Sequence, residues 1–414
     1  MSVILTVGAA FCVNALSVGP MKSLGVFFIQ YERELGASAG QASLVTSLLY
    51  GAFFLSGPFA TILANRFGFR QTIIFGTILA SAGSIGCSFS QHIAVVHATI
   101  GIMTGVGFGL VNVPTIALIG IRYKEKRSFF NNIVTMGSAL TAIPLSPLVQ
   151  LWIDVYGWRG AFLLIGGVIL NVIPSCLLMI SAKMNKQIAP AKRRLIDLSL
   201  LKSITFPAYA VAAGCDMAAM VAITVYLVRF AQDRDVGNYI AASLSSVISI
   251  VDLTLRPISG YITTLTNIGP IPIRRTYYFC GVACIQALVV IIFPFTQSIY
   301  AIVAVTVAYA ICIGLRGALS ITILSDLFGT DKLVSSLGLR AFAVGTFSAA
   351  TPPLIGRIVD STGSYDAPFY ASAVMSVISA ILVSMVQIII LRREKEAARK
   401  TKSINVDETA EYKL

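Results

Sequence analysis

Charge is what this chain has least of. Of its 414 residues, 31 are Lys or Arg and 18 are Asp or Glu, so charged residues make 12% of the sequence. A soluble globular domain carries about twice that share. The shortage excludes a soluble enzyme and a nucleic-acid-binding domain, even though the formal net charge is +13. Histidine is nearly absent, with His92 and His97 alone. No nucleophile–base set and no phosphate-binding glycine loop is found, so no enzymatic activity is expected. The seven cysteines all fall within apolar runs and none has metal-site spacing with a histidine. Cys280 and Cys284 share a helix face, but nothing nearby completes a ligand set. They read as small buried helix residues, and neither a metal nor a cofactor is expected.

What is abundant is apolar surface. Hydrophobic residues make 56% of the chain and the mean hydropathy is +0.83. This is a membrane protein by composition. Residues 1–11, "MSVILTVGAAF", lack the basic start of a secretory signal, and the apolar run continues past a signal-length core. They read as the start of a first span.

A spanning helix needs about 20 mostly apolar residues, and only helices or closed barrels satisfy their backbone in lipid. Twelve runs qualify as helices: 3–29, 41–64, 71–90, 93–120, 129–152, 158–182, 204–231, 238–265, 276–296, 299–327, 333–357 and 367–391. The expected fold class is therefore all-α, with twelve transmembrane helices in two six-helix bundles. The basic, polar stretch 183–203 divides them into 1–182 and 204–391, and the charged tail 392–414 is expected to be disordered. Most Lys and Arg residues fall in the loops and tail on the side that holds both termini and 183–203. The positive-inside rule puts that side in the cytoplasm, where the positive charge faces anionic lipid.

Six plus six spans with a central loop is a two-bundle transporter layout, whose substrate site lies near the midplane between the halves. The turn "ANRFGFRQ" (64–71) resembles the major facilitator loop pattern, with Asn65 where that pattern has an acid, and "YGWRGAF" (156–162) also recurs there.

Six ionisable residues fall inside the runs: Lys22, Asp216, Asp252, Arg256, Arg316 and Arg340. Each costs about 2.5–3.5 kcal/mol at a helix centre on insertion scales, so each is a functional hypothesis by default. Asp326 lies near an inner helix end and reads as a cap or as facing lipid headgroups. In "SIVDLTLRPISGY" (249–261), Asp252 and Arg256 stand one turn apart on one face. Pro257 follows and frees a backbone carbonyl near Leu253. The bland reading is a packing salt bridge, but buried pairs are weak evidence for stability. Lys22 lies about seven residues from the predicted end of its span, roughly 10 Å, at the limit of a snorkelling lysine. Four cations against two acids make a cavity that attracts an anion. A guanidinium grips a carboxylate with a two-pronged fork, and a desolvated carboxylate beside it can exchange a proton. Asp216 reads as a counter-ion to one of the arginines. Asp216, Arg316 and Arg340 are further candidate cavity charges. The residues themselves specify an anion and a proton, not a named acid.

These motifs resemble the monocarboxylate transporter family of the major facilitator superfamily. The strongest match is "PPLIGRIVDSTGSYD" (352–366) with the following "FY", supported by "RYKEKRSFFNNIV" (122–134), "PMKSLGVFF" (20–28) and "VDLTLRP" (251–257). The resemblance implies that Lys22 is the protonatable, substrate-pairing lysine of span 1. It implies that Asp252 is the proton-relay aspartate and Arg256 the carboxylate-binding arginine. Asn131, Tyr50 and Phe54 fall at pocket-lining positions. The implied activity is proton-coupled symport of a small lactate- or pyruvate-like monocarboxylate at the plasma membrane. The implied partner is a single-span immunoglobulin-type accessory subunit. Two alternatives stand beside it: a proton-independent facilitator of another organic anion or amino-acid-like solute, and a non-transporting sensor or scaffold. The sequence departs from the family in three ways. It lacks the acidic, glycine- and tryptophan-rich stretch before span 1, has Asn132 where glycine is usual, and carries Arg316 and Arg340 where no charge is expected.

Overall fold

A computed structural model describes residues 3–123, 127–179, 202–265, 275–328 and 333–411. Among them there are twelve helices in the predicted order. Helix α1 is Val3–Leu35, α2 is Ala39–Leu55 plus Gly57–Phe67, α3 is Phe69–Cys87 and α4 is Ile93–Arg122. One stretch, Arg127–Leu170, holds both α5 and α6, broken at Gly157, and α6 continues through Val172–Met179. Then follow α7 (Thr205–Asp233), α8 (Asn238–Leu265), α9 (Arg275–Ile292), α10 (Ile299–Phe328), α11 (Leu333–Thr362) and α12 (Ala367–Glu411). Most of 183–203 lies outside the described residues.

The breaks follow local chemistry. Gly157 has φ 70° and Gly68 has φ 98°, a region costly for residues with a Cβ, so the chain reverses there within a few residues. Ser38 caps α2 in a reciprocal capping box with Gln41. Helix α2 bends by 47° between its two segments, next to Pro58 in the first turn of the second. Two expectations change. Helix α1 runs on to Leu35 through a tight 3-10 turn at Leu24–Phe27, so Lys22 lies thirteen residues from its end, about 20 Å at 1.5 Å per residue. And 392–411, expected to be disordered, continues α12 as helix to Glu411. The segment "RREKEAARK" is made of strong helix formers, and a preceding helix removes the nucleation cost.

Helix α2 packs along α11, α5 along α8, and α1 along α7, joining the first six helices to the last six. The end of the molecule with Leu35, Asp233 and Thr362 is called outer here, after the charge distribution. One buried apolar cluster near that end draws from both halves, including Met21, Phe28, Tyr31, Tyr50, Val225, Tyr226 and Ile355. Toward the inner end the cores are separate: one holds Val7, Phe69, Leu118 and Val134, another Phe206, Tyr209, Phe279 and Val383. Among the described residues the halves are thus joined at the outer end and packed apart at the inner end.

Candidate functional site

Two of the charges predicted from sequence meet. Lys22 Nζ lies 3.1 Å from Asp252 Oδ2, an ion pair between α1 and α8 across the two halves. Local sequence places Lys22: Pro20 removes one helical N–H, and the backbone tightens to the 3-10 turn two residues after the lysine. Ser23, next in sequence, is 3.0 Å from Ser146 of α5 through their hydroxyls, which pins this turn to its own half. Asp252 is 9% exposed. With α1 extending to Leu35, the lysine lies about 20 Å from the helix end, beyond the reach of its side chain along the helix. Removing either partner of a buried ion pair strands a charge, at about 3–5 kcal/mol. Arg256 lies one turn on along α8, with its side chain outside the described residues, as is that of Asp326.

The remaining candidates separate into groups. Tyr50 is buried in the outer cluster that includes Met21, the neighbour of Lys22, and Phe54 packs against that cluster. Both therefore stand beside the ion pair's level. Asn131 does not. It is one turn into α5, while Lys22 is level with Thr141 to Ser146, through the Gly19–Thr141 and Ser23–Ser146 approaches. That places Asn131 well over 10 Å nearer the inner end by helical rise. It is half-buried beside Gly120 of α4. Arg340 is half-buried on α11.

Arg316 and Asp216 pair with each other. One guanidinium nitrogen donates to an Asp216 carboxylate oxygen and another to Gln286 Oε1 at 2.6 Å. The Arg316 side chain is almost wholly buried, against the face of Phe279. Arg316 is thus not a free cavity cation; its pairing removes one cation and one acid together, so the excess positive charge expected from the sequence is unchanged.

Above this site the outer end is latched. Glu32 of α1 accepts from Arg229 Nε of α7 at 2.8 Å and from the Tyr365 hydroxyl at 2.5 Å. The Arg229 guanidinium also lies over the Tyr365 ring. Asp360 of α11 accepts from the backbone N–H groups of Ala39 and Gly40 at 2.7 and 3.1 Å, so it caps α2 of the other half. Ser43 and Tyr226 both donate to the Pro352 carbonyl. Tyr365 lies in the turn between α11 and α12, where burial raises its phenol above the usual range. It therefore remains a donor at neutral pH. None of these latch residues was a sequence candidate. Each stands near a helix end, where charge is ordinary, and Glu32 and Arg229 are 197 residues apart. A cavity of about 340 Å³ lies elsewhere, among apolar side chains of α2, α4 and α11 such as Leu48, Phe59 and Ile102. It touches none of the ion pairs.

The model of the Major Facilitator Superfamily matches residues 10–315 and 271–409. Among curated proteins, the chain is 29% identical to monocarboxylate transporter 3 of Rattus norvegicus, covering 92% of this chain and 79% of that protein. It is 28% identical to monocarboxylate transporter 4 of Mus musculus, covering 90% and 80%. It is 27% identical to monocarboxylate transporter 12-B of Danio rerio, covering 93% and 87%. Among solved structures, it is similar to the partially occluded inward-open conformation of the xylose transporter XylE from E. coli. The TM-score is 0.67 at 11% identity, over 91% of this chain and 97% of that one.

Proposed function

The chain belongs to the Major Facilitator Superfamily, a multi-pass membrane transporter of that type, and from that premise we propose that it carries a small monocarboxylate together with one proton. The bundles 1–182 and 204–391 alternate in access about the Lys22–Asp252 level, with both termini in the cytoplasm and the protein in the plasma membrane. Lactate- and pyruvate-like acids are the proposed substrate class, and the relatives above are monocarboxylate transporters. The observation that carries the reading is the Lys22–Asp252 ion pair between the halves.

The pair explains how an empty carrier reorients. A lysine and an aspartate in contact are together neutral, so the pair itself adds no net charge to the low-dielectric centre. An arriving carboxylate competes with Asp252 for Lys22, and Asp252 released from its cation takes up a proton. Arg256, one turn away, is the fork that holds the substrate carboxylate. Substrate anion and proton enter together, so the loaded site carries the same net charge as the empty one. Release toward the inside restores the contact. The latched outer end matches a carrier open toward the inside.

The test is uptake of labelled monocarboxylates into proteoliposomes, with and without an inward proton gradient. Gradient-stimulated uptake is expected; uptake indifferent to the gradient would overturn symport in favour of facilitated diffusion. Asp252→Asn should abolish the gradient response, and full retention would remove Asp252 from the relay. Arg256→Lys keeps the charge without the fork and should weaken binding about tenfold; unchanged affinity would limit Arg256 to packing.

A further inference from the structure

The Asp216–Arg316 pair has no part in that cycle, yet one of its members is open. Arg316 is enclosed by its own half. Gln286 takes one guanidinium nitrogen and Asp216 another, the Phe279 ring covers its face at 4.6 Å, and Gln286 is tied in turn to Ser376. Asp216 is different: its side chain is 23% exposed, against 3% for Arg316. The exposure has a direction. Helix α7 is mostly buried, and Asp216, Met217, Met220 and Thr224 are its half-buried positions along this stretch. Met217 packs against the cluster that contains Met21. The Thr224 carbonyl lies so near Gly25 that a Cβ there would stand 2.7 Å from it. This face of α7 looks toward α1, the helix of Lys22.

Two independent registers fix the level. Helices α1 and α7 run side by side through Gly25–Thr224, Phe28–Tyr226 and Glu32–Arg229. Lys22 is three residues before Gly25 and Asp216 eight before Thr224, an offset of five residues or about 7 Å. Helices α8 and α10 approach at Leu255 and Gly314. Asp252 is three residues before the first and Arg316 two after the second, again five residues toward the inner end. The first register puts Asp216, and the second its partner Arg316, about 7 Å inward of the Lys22–Asp252 pair.

We infer that Asp216 is a specificity-determining acceptor for a second polar group on the transported acid, one that donates hydrogen bonds, such as an ammonium or hydroxyl. The inference rests on the reading above, that the carboxylate docks at Lys22. The cation behind Asp216 stabilises its ionised form, so what it offers a solute is a negative acceptor. It repels a second carboxylate, since Arg316 already donates to Asp216 and Gln286 and its side chain is almost wholly buried. The fitting substrate is a monocarboxylate with a donor several bonds away, not a dicarboxylate and not a purely apolar acid.

Pentanoate and 5-aminopentanoate differ only in the terminal ammonium, and glutarate carries a second carboxylate in place of the terminal methyl of pentanoate. In proteoliposomes, 5-aminopentanoate should show a KM lower than that of pentanoate by about tenfold or more, the usual worth of a hydrogen bond to a charged group, with glutarate the poorest. Asp216→Asn alone strands Arg316 and risks misfolding, so the decisive variant is Asp216→Asn with Arg316→Gln. The ratio of the two KM values should fall to near one. A role confined to packing moves both acids alike and keeps the ratio, which would overturn the inference. Equal KM values in the unmodified protein, with proton-driven uptake of both acids, would overturn it while leaving the carboxylate reading intact. No uptake of any acid, with no effect of Lys22→Ala on their binding, would overturn both.

Discussion

Replacing Glu32 with Gln should unlatch the outer end. Glu32 of α1 receives donors from two elements of the other half, Arg229 at 2.8 Å and Tyr365 at 2.5 Å. The substitution preserves shape and leaves an acceptor for Tyr365, but removes the charge that faces Arg229. A hydrogen bond to a charged group contributes about 1.5–3 kcal/mol when buried, and an exposed ion pair about 0.2–1. The side chains of Arg229 and Glu32 are 20% and 17% exposed, so the loss falls between these limits, about 1–2 kcal/mol. That shifts the balance between outer-closed and outer-open states by roughly 5- to 30-fold. Spin labels on Arg33→Cys and Ser361→Cys, both exposed near the outer ends of α1 and α11, report the separation. The seven native cysteines are first replaced by Ala or Ser. The expected result is a longer-distance population that grows with Glu32→Gln. A distance distribution indistinguishable from that of the unsubstituted latch would refute the reasoning, because it would mean that the apolar cluster and the remaining polar contacts keep the outer end shut without the Glu32 charge.

Asp360→Asn should act in the same direction through a different contact, since it weakens the carboxylate cap on α2; with Glu32→Gln the two shifts should add within a few tenths of a kcal/mol, as for separate sites, in the same spin-label measurement. Gly356→Val should block closure outright, because a Cβ there would meet Gly40 Cα at 2.4 Å and the Tyr226 hydroxyl at 2.8 Å; labelling of outer-facing cysteines by a membrane-impermeant maleimide should rise and turnover should fall. Gly137→Leu tests packing within one half: a Cβ would stand 2.5 Å from the Phe11 carbonyl, so α1 and α5 must separate, lowering the Tm in detergent by the few degrees that about 1–3 kcal/mol of overpacking entails.

The spans were legible because lipid leaves so few choices. Runs of apolar residues long enough to cross must be helices, and the turns at Gly68 and Gly157 announce themselves by glycine beside charge. The ends were less legible. The residues "IQYEREL" after Phe28 look like a loop by composition, yet they extend α1, because Glu32 and Tyr31 are held by the other half and by the outer cluster. Lys22 and Asp252 could be picked out singly, since each is costly where it stands. Their contact is a tertiary fact, but the cost itself predicts that each needs a partner of opposite sign. The same logic foresaw a counter-ion for an arginine in Asp216, though not that Gln286 and Phe279 would complete the enclosure of Arg316. Asn131 shows the limit of motif position: it belongs to a matched segment, but the rise of α5 carries it away from the ion pair.

The two ion pairs differ in what opposes their rupture, and that difference divides their roles. Lys22–Asp252 joins α1 to α8, elements of different halves that move against each other in the proposed cycle. Its partners have to part for the solute to pass, so a tightly enclosed pair there would arrest the cycle. Each member instead keeps some exposure, 20% and 13% for the side chains, which screens the interaction and lets a solute carboxylate substitute for Asp252. Asp216–Arg316 joins α7 to α10 within one half, where nothing has to separate. There the cation is sealed and tied a second time through Gln286 and Ser376, and only the acid is presented. A pair across the moving interface suits exchange, and a pair inside a rigid bundle suits recognition. Swapping the character of the first, by Lys22→Arg, tests this directly. A guanidinium would hold Asp252 with two parallel hydrogen bonds where the ammonium makes one, so substrate should bind more weakly and the empty carrier should turn over more slowly, with the gradient response preserved. Faster exchange from the arginine variant would contradict the view that a loose pair is what the moving interface requires.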